Sequence, residues 1–104
     1  LKDSVVNVSG EMVVDEFRLY QNFPNPFNPS TKIKYSIPNN AENVSVKIKV
    51  FDLLGNQIQV LVNEEQSSGN YEVAFNASSL SSGVYFYRIQ AGGFTKTLKM
   101  QLVK

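Results

Sequence analysis

Neither histidine nor cysteine occurs among the 104 residues. Their absence removes the commonest general base, the usual zinc ligands and the thiol nucleophile, and it excludes disulfides. The serines have only lysine as a partner base, and neither Ser-x-x-Lys nor Gly-x-Ser-x-Gly occurs. Of nine carboxylates only Asp15-Glu16 and Glu64-Glu65 are adjacent, and neighbours on a strand face opposite ways. No Asp-x-Asp-x-Asp-Gly calcium loop is present. The sequence therefore predicts a domain with no catalysis, no cofactor and no metal.

Charge of one sign is also lacking. Ten basic and nine acidic residues give a net charge of +1, so the overall balance implies no nucleic acid or other polyanion as partner. No apolar run approaches the roughly 20 residues that span a bilayer as a helix, and no membrane insertion is expected. The opening Leu1-Lys2-Asp3-Ser4 has neither the basic nor the apolar region of a signal peptide. The chain reads as a piece of a longer protein, with Lys104 as its natural end.

Alternation with a period of two fills the rest. Val44, Val46, Ile48 and Val50 alternate with Ser45, Lys47 and Lys49, so one face of that strand is apolar and the other wet. Ile33, Tyr35 and Ile37 repeat the pattern against Lys32, Lys34 and Ser36. Tyr71, Val73 and Phe75 do so as well, and Leu98, Met100 and Leu102 again against Thr97, Lys99 and Gln101. One buried face per strand describes antiparallel sheets.

Turn signals separate these runs: Pro38-Asn39-Asn40, Leu54-Gly55-Asn56, Ser67-Ser68-Gly69-Asn70, Ser81-Ser82-Gly83 and Gly92-Gly93, the last a tight hairpin. With Phe17–Gln21 as the first, about seven strands are predicted, at 17–21, 31–37, 44–52, 57–62, 70–76, 84–91 and 94–103, plus one irregular turn at 78–82. The fold class is an all-β, immunoglobulin-like antiparallel β-sandwich of about seven strands. Residues 1–16 read as a linker or the tail of an upstream domain, and 17–104 as the domain itself.

Two surface features have a plain structural reading. Lys32, Lys34, Lys47, Lys49, Lys96 and Lys99 fit the solvated faces of a sandwich, where lysine also discourages edge pairing. Tyr85, Tyr87 and Ile89 share a core face, with one hydroxyl expected to pin a loop as a tyrosine corner does. Phe86 falls on the opposite face, covered by the N-terminal segment or part of a recognition surface. Three Asn-x-Ser sequons, at Asn7, Asn43 and Asn76, match an N-glycosylation pattern that would mean nothing in a bacterial chain.

The least generic segment is Phe23-Pro24-Asn25-Pro26-Phe27-Asn28-Pro29-Ser30-Thr31. Its prolines fix φ and remove backbone donors, which forces an extended, turning path. Asn25 and Asn28 are expected to close Asx-turns, with Phe23 and Phe27 plugging the open end of the sandwich.

Three blocks, NPFNPSTKIKYSIP, VKIKVFDLLGNQIQVLVN and SGNYEVAFNASSLSSGVYFYRIQAGGFTKTLKMQLVK, together resemble the type A C-terminal sorting domain of the type IX secretion system. The resemblance runs from about Phe17 to Lys104. Its motif residues here are Asn25, Pro26, Phe27, Asn28 and Pro29, with Asp52 and Gly55. It implies an immunoglobulin-like domain at the end of a longer secreted or surface protein of the Bacteroidetes and their relatives. The outer-membrane secretion machinery would recognise that domain, after passage through the periplasm and on the way to the surface or the medium. It would be cleaved within 1–16 as cargo is released or anchored to lipopolysaccharide. Recognition would fall on Gly83, Val84, Tyr85, Gly92, Gly93, Lys96, Lys99, Met100, Leu102, Val103 and Lys104. A final strand at a sheet edge would offer unpaired backbone to a receptor strand. The same motifs also resemble the immunoglobulin-like domain of flagellar hook-capping proteins, which implies a scaffold, and a carbohydrate-binding sandwich is a third reading.

Overall fold

The computed structural model describes residues 16–39 and 42–104, together with the backbone of β1 (Ser4–Val6) and β2 (Met12–Val14). Seven further strands follow: β3 (Arg18–Leu19), β4 (Ser30–Ile37), β5 (Val44–Phe51), β6 (Gln57–Gln66), β7 (Gly69–Asn76), β8 (Gly83–Ala91) and β9 (Phe94–Leu102). No helix occurs among the described residues. β1 and β2 pair only with each other, whereas β3–β4–β7 and β6–β5–β8–β9 form two antiparallel sheets. That order is strands A-B-E against C′-C-F-G of an immunoglobulin-like sandwich.

The alternation dictates which faces meet. Leu19, Ile33, Tyr35, Ile37 and Phe75 come from one sheet, and Val46, Ile48, Val50, Tyr85, Tyr87, Ile89, Met100 and Leu102 from the other. All are buried, as two inner faces of aligned sheets require. Ser36 departs from the expected wet face. It is buried because Arg18 of β3 and Asn70 of β7 flank it across the sheet, and its hydroxyl donates to Asn70 Oδ1 at 2.7 Å.

Strand limits differ where neighbours decide. β6 runs on to Gln66, past the expected 62, because Asn63–Gln66 pair with Val44–Lys47. Two register shifts along β5–β6 reorient part of that strand, leaving Ile58 and Val60 partly exposed. β3 is cut to two residues, since from Asn22 onward the chain turns into the proline segment. The irregular turn after β7 is present, closed by the Leu80 N–H donating to Ala77 O at 3.0 Å. The Pro38-Asn39-Asn40 turn lies partly outside the described residues, as does the N-terminal segment expected over Phe86. Phe86 itself is half-buried, with Phe51 and Lys99 as cross-strand neighbours.

The sandwich has two distinct poles. Phe17 lies at one, with its ring stacked on Phe94 at 5.5 Å beside Gly92. The chain enters the sandwich there. The other pole gathers the β5–β6 turn, the 77–82 connection, the proline segment and the end of β9.

Candidate functional site

The β8–β9 hairpin is built from a two-residue loop. Ala91 pairs with Phe94 across Gly92-Gly93, and Gly92 sits at φ +56°, a conformation that glycine alone adopts freely. With that pair, nine register pairs run without a shift, ending at Gly83 opposite Leu102. Residues flanking such a loop exchange hydrogen bonds, so even-numbered β9 residues bond to β8. Thr95, Thr97, Lys99 and Gln101 therefore turn their backbone groups outward, along a true sheet edge.

Half of that edge is occupied. Lys99 O accepts from Gln21 Nε2 at 2.7 Å, and the Gln101 N–H donates to Asn25 Oδ1 at 3.0 Å. Phe27 brackets the rest: its N–H donates to Gln101 O and its carbonyl accepts from the Val103 N–H, both at 3.0 Å. The expectation of an open final strand thus needs correction beyond Thr97, because the proline segment lies along it as a parallel bridge between Phe27 and Leu102. Among the described residues, the outward groups of Thr95 and Thr97 have no partner.

The proline segment reaches β9 through a buried polar knot. Asn22 Nδ2 donates to Pro24 O at 3.1 Å and Thr31 Oγ1 at 3.0 Å, and the Thr31 hydroxyl donates to Pro24 O at 2.8 Å. Tyr87 ties the knot to the core. Its hydroxyl donates to Tyr20 O at 2.7 Å and accepts the Asn22 N–H at 2.8 Å. Phe27 fills the open end as expected, buried against Phe75 at 6.1 Å. Phe23 does not. It pairs with Lys32 on the outer face of β4 and is 80% exposed, because partners in an antiparallel bridge project to the same side. Nor does Asn25 close an Asx-turn, since its side-chain oxygen is spent on Gln101; no such bond forms at Asn28 among the described residues.

The β5–β6 turn is pinned by Asp52. Its carboxylate accepts the Leu54 and Asn56 N–H groups at 2.9 Å and the Asn56 side-chain amide at 3.1 Å. Those donors, Asn56 foremost, hold its carboxyl below the usual carboxylate range. Gly55 sits at φ +90°, which strains any other residue, and its N–H donates to Asp52 O. Nearby, the Tyr85 hydroxyl donates to Ser81 O at 2.7 Å, which is the expected tyrosine corner. Tyr71 makes the same contact with Ser67 O at 2.6 Å. Lys104 caps the pole, its N–H on Ser82 Oγ and its ammonium on Ser78 O.

The residues expected to carry recognition divide by place and exposure. Gly83, Val84, Tyr85, Met100, Leu102, Val103 and Lys104 cluster at the C-terminal pole, Lys99 lies in mid-strand, and Gly92, Gly93 and Lys96 lie at or near the hairpin tip. Gly83 and Leu102 lie about nine residues of strand, roughly 30 Å, from the Gly92-Gly93 tip, with Lys96 and Lys99 between them. Tyr85, Met100 and Leu102 are buried, so they shape the hairpin from within; Gly92, Gly93, Lys96, Lys99, Val103 and Lys104 are exposed. Asn22 had no sequence signal, because one asparagine before a proline run resembles any loop asparagine. The lysines lie on both sheets, and Lys32 pairs with Glu72 at 3.4 Å. The Arg88 guanidinium stands 4.5 Å over Phe51.

Burial pushes the Tyr87 phenol up to about 12, against the opposing Asn22 hydrogen bond, and raises Tyr35 as well. An unfolded tyrosine ionises near 10. The fold therefore keeps a proton that the unfolded chain releases, and this stabilisation is full below about pH 10 and lost toward about 12. Denaturant midpoints should fall through that window, with tyrosinate absorbance from Tyr87 held back to about pH 12 while the protein stays folded.

No curated protein matches the chain. The family model of the secretion system C-terminal sorting domain matches residues 21–104, from the proline segment through the end of β9. The matched stretch takes in both sheets from β4 onward, the pinned turn and the hairpin, so the chain belongs to the family of secretion system C-terminal sorting domains and carries a sorting signal for type IX secretion.

Proposed function

We propose that the β8–β9 hairpin is the part of this sorting signal that the outer-membrane secretion machinery reads, and that it is read by strand addition. The open stretch of β9 carries the proposal. β6, the other edge of the same sheet, is interrupted by two register shifts that spoil it as a template, whereas β9 pairs without a shift and leaves Thr95 and Thr97 unpartnered among the described residues. A receptor strand along Thr95–Thr97 would gain main-chain hydrogen bonds there. Lys96 and Lys99 would add charge contacts, and Gly92-Gly93 would let the partner approach the tip closely. Gly83, Val84, Tyr85, Met100, Leu102, Val103 and Lys104 hold or extend the same hairpin.

In this reading residues 17–104 are the removable label and residues 1–16 the connection to an upstream cargo domain, within which cleavage falls after export. The route runs through the periplasm to the cell surface or the medium, and the label itself performs no catalysis.

Thr97→Pro separates strand addition from side-chain contact. Thr97 directs its N–H outward, so proline removes no bond to β8 and is tolerated at an edge. The variant should keep its melting temperature and lose at least tenfold in export of a fused reporter. Export at the wild-type level would overturn strand addition at this edge.

A further inference from the structure

The C-terminal pole presents apolar surface that the sandwich does not use. Leu53 and Leu54, at the tip of the β5–β6 turn, are 67% and 86% exposed. Exposed leucines on a loose loop mean little, but this loop is not loose. Three hydrogen bonds to the Asp52 carboxylate and two between backbone groups fix it, and Gly55 supplies the conformation. A rigid turn that holds two leucines in water has already met the ordering cost of binding.

The leucines also border a groove of about 290 Å³, lined by Asp52, Leu53, Leu54 and the Ser82–Tyr85 start of β8. Across Ser82 from that groove, Lys104 is tied down beside partly exposed Val103. The β5–β6 turn and the chain's last residues are distant in sequence and form one surface.

We infer that this pole is a second docking surface for the secretion machinery, on which an apolar side chain of the machinery enters the groove between Leu53-Leu54 and β8. The inference rests on the sorting reading, which supplies the partner. Position argues for that occupant over the protein's own upstream part. Phe17, at the start of the described sandwich, lies at the opposite pole, the length of a β-strand away, so the leucines are far from the point at which the chain enters the domain. The groove shares no residue with the Thr95–Thr97 edge, so both surfaces can be engaged at once.

The test uses the whole 104-residue chain, fused behind an export-competent reporter in a type IX-secreting host. Leu53→Ser with Leu54→Ser should leave the melting temperature unchanged and reduce released reporter at least tenfold, while Leu53→Met with Leu54→Met should restore most of it. If the wild-type fusion is exported and the serine pair is exported equally well, the second surface is wrong and the sorting reading stands. If the wild-type fusion itself is not exported, the sorting reading fails and takes the inference with it. If the purified chain is a dimer that the serine pair makes monomeric, the leucines serve self-association and the inference is overturned.

Discussion

Replacing Phe27 by alanine is expected to cost ~3–5 kcal/mol, the range for truncating a buried aromatic. Phe27 is almost wholly buried, and its ring closes the end of the sandwich against Phe75. Its backbone also holds Gln101 and Val103, so a cavity beneath it loosens the bracket around the end of β9. A domain of this size has roughly 5–15 kcal/mol in total, so the variant should sit near the edge of folding. Urea midpoints read the loss directly. Amide exchange should show Val103, whose N–H donates to Phe27 O, losing protection before the centre of β8. A loss below about 1 kcal/mol would mean that the ring is not part of the core.

Tyr87→Phe is the second large effect, although it removes a single oxygen. That oxygen accepts the buried Asn22 N–H and donates to Tyr20 O, joining the proline segment to the core strand β8. The phenylalanine ring fits the same space but leaves the Asn22 donor without an acceptor, and unsatisfied buried groups cost ~1–3 kcal/mol each. A loss of about 2–3 kcal/mol is expected. Tyr71→Phe provides the contrast, since its hydroxyl bond to Ser67 O is exposed and should contribute at most about 1 kcal/mol. Equal losses for the two variants would contradict the role assigned to the Asn22–Tyr87 knot.

The fold was largely legible because alternation is a local signal. Val46, Ile48 and Val50 announce their buried face within one strand, and Gly92-Gly93 announces its hairpin within two residues. Contacts distant in sequence were not legible. Nothing near Asn25 says that its side chain meets Gln101, 76 residues away, and nothing near Phe23 says that pairing with Lys32 turns its ring to solvent. The same reason limits what the sequence says of the candidate site. Motif resemblance pointed to the last hairpin, whereas only the assembled sandwich brings Leu53-Leu54 beside Ser82 and Gly83 and reveals that half of the β9 edge is occupied. The burial of Ser36 likewise depends on two flanking strands that its own neighbours in sequence do not specify.

The most direct test of the central claim is export of a reporter carrying these 104 residues at its C-terminus. Two otherwise identical hosts would be compared, one with a working type IX system and one with its outer-membrane machinery disabled. The reporter should reach the surface or the medium only in the first and remain in the periplasm of the second. Equal export from both hosts, or retention in both, would contradict a sorting role for this sandwich.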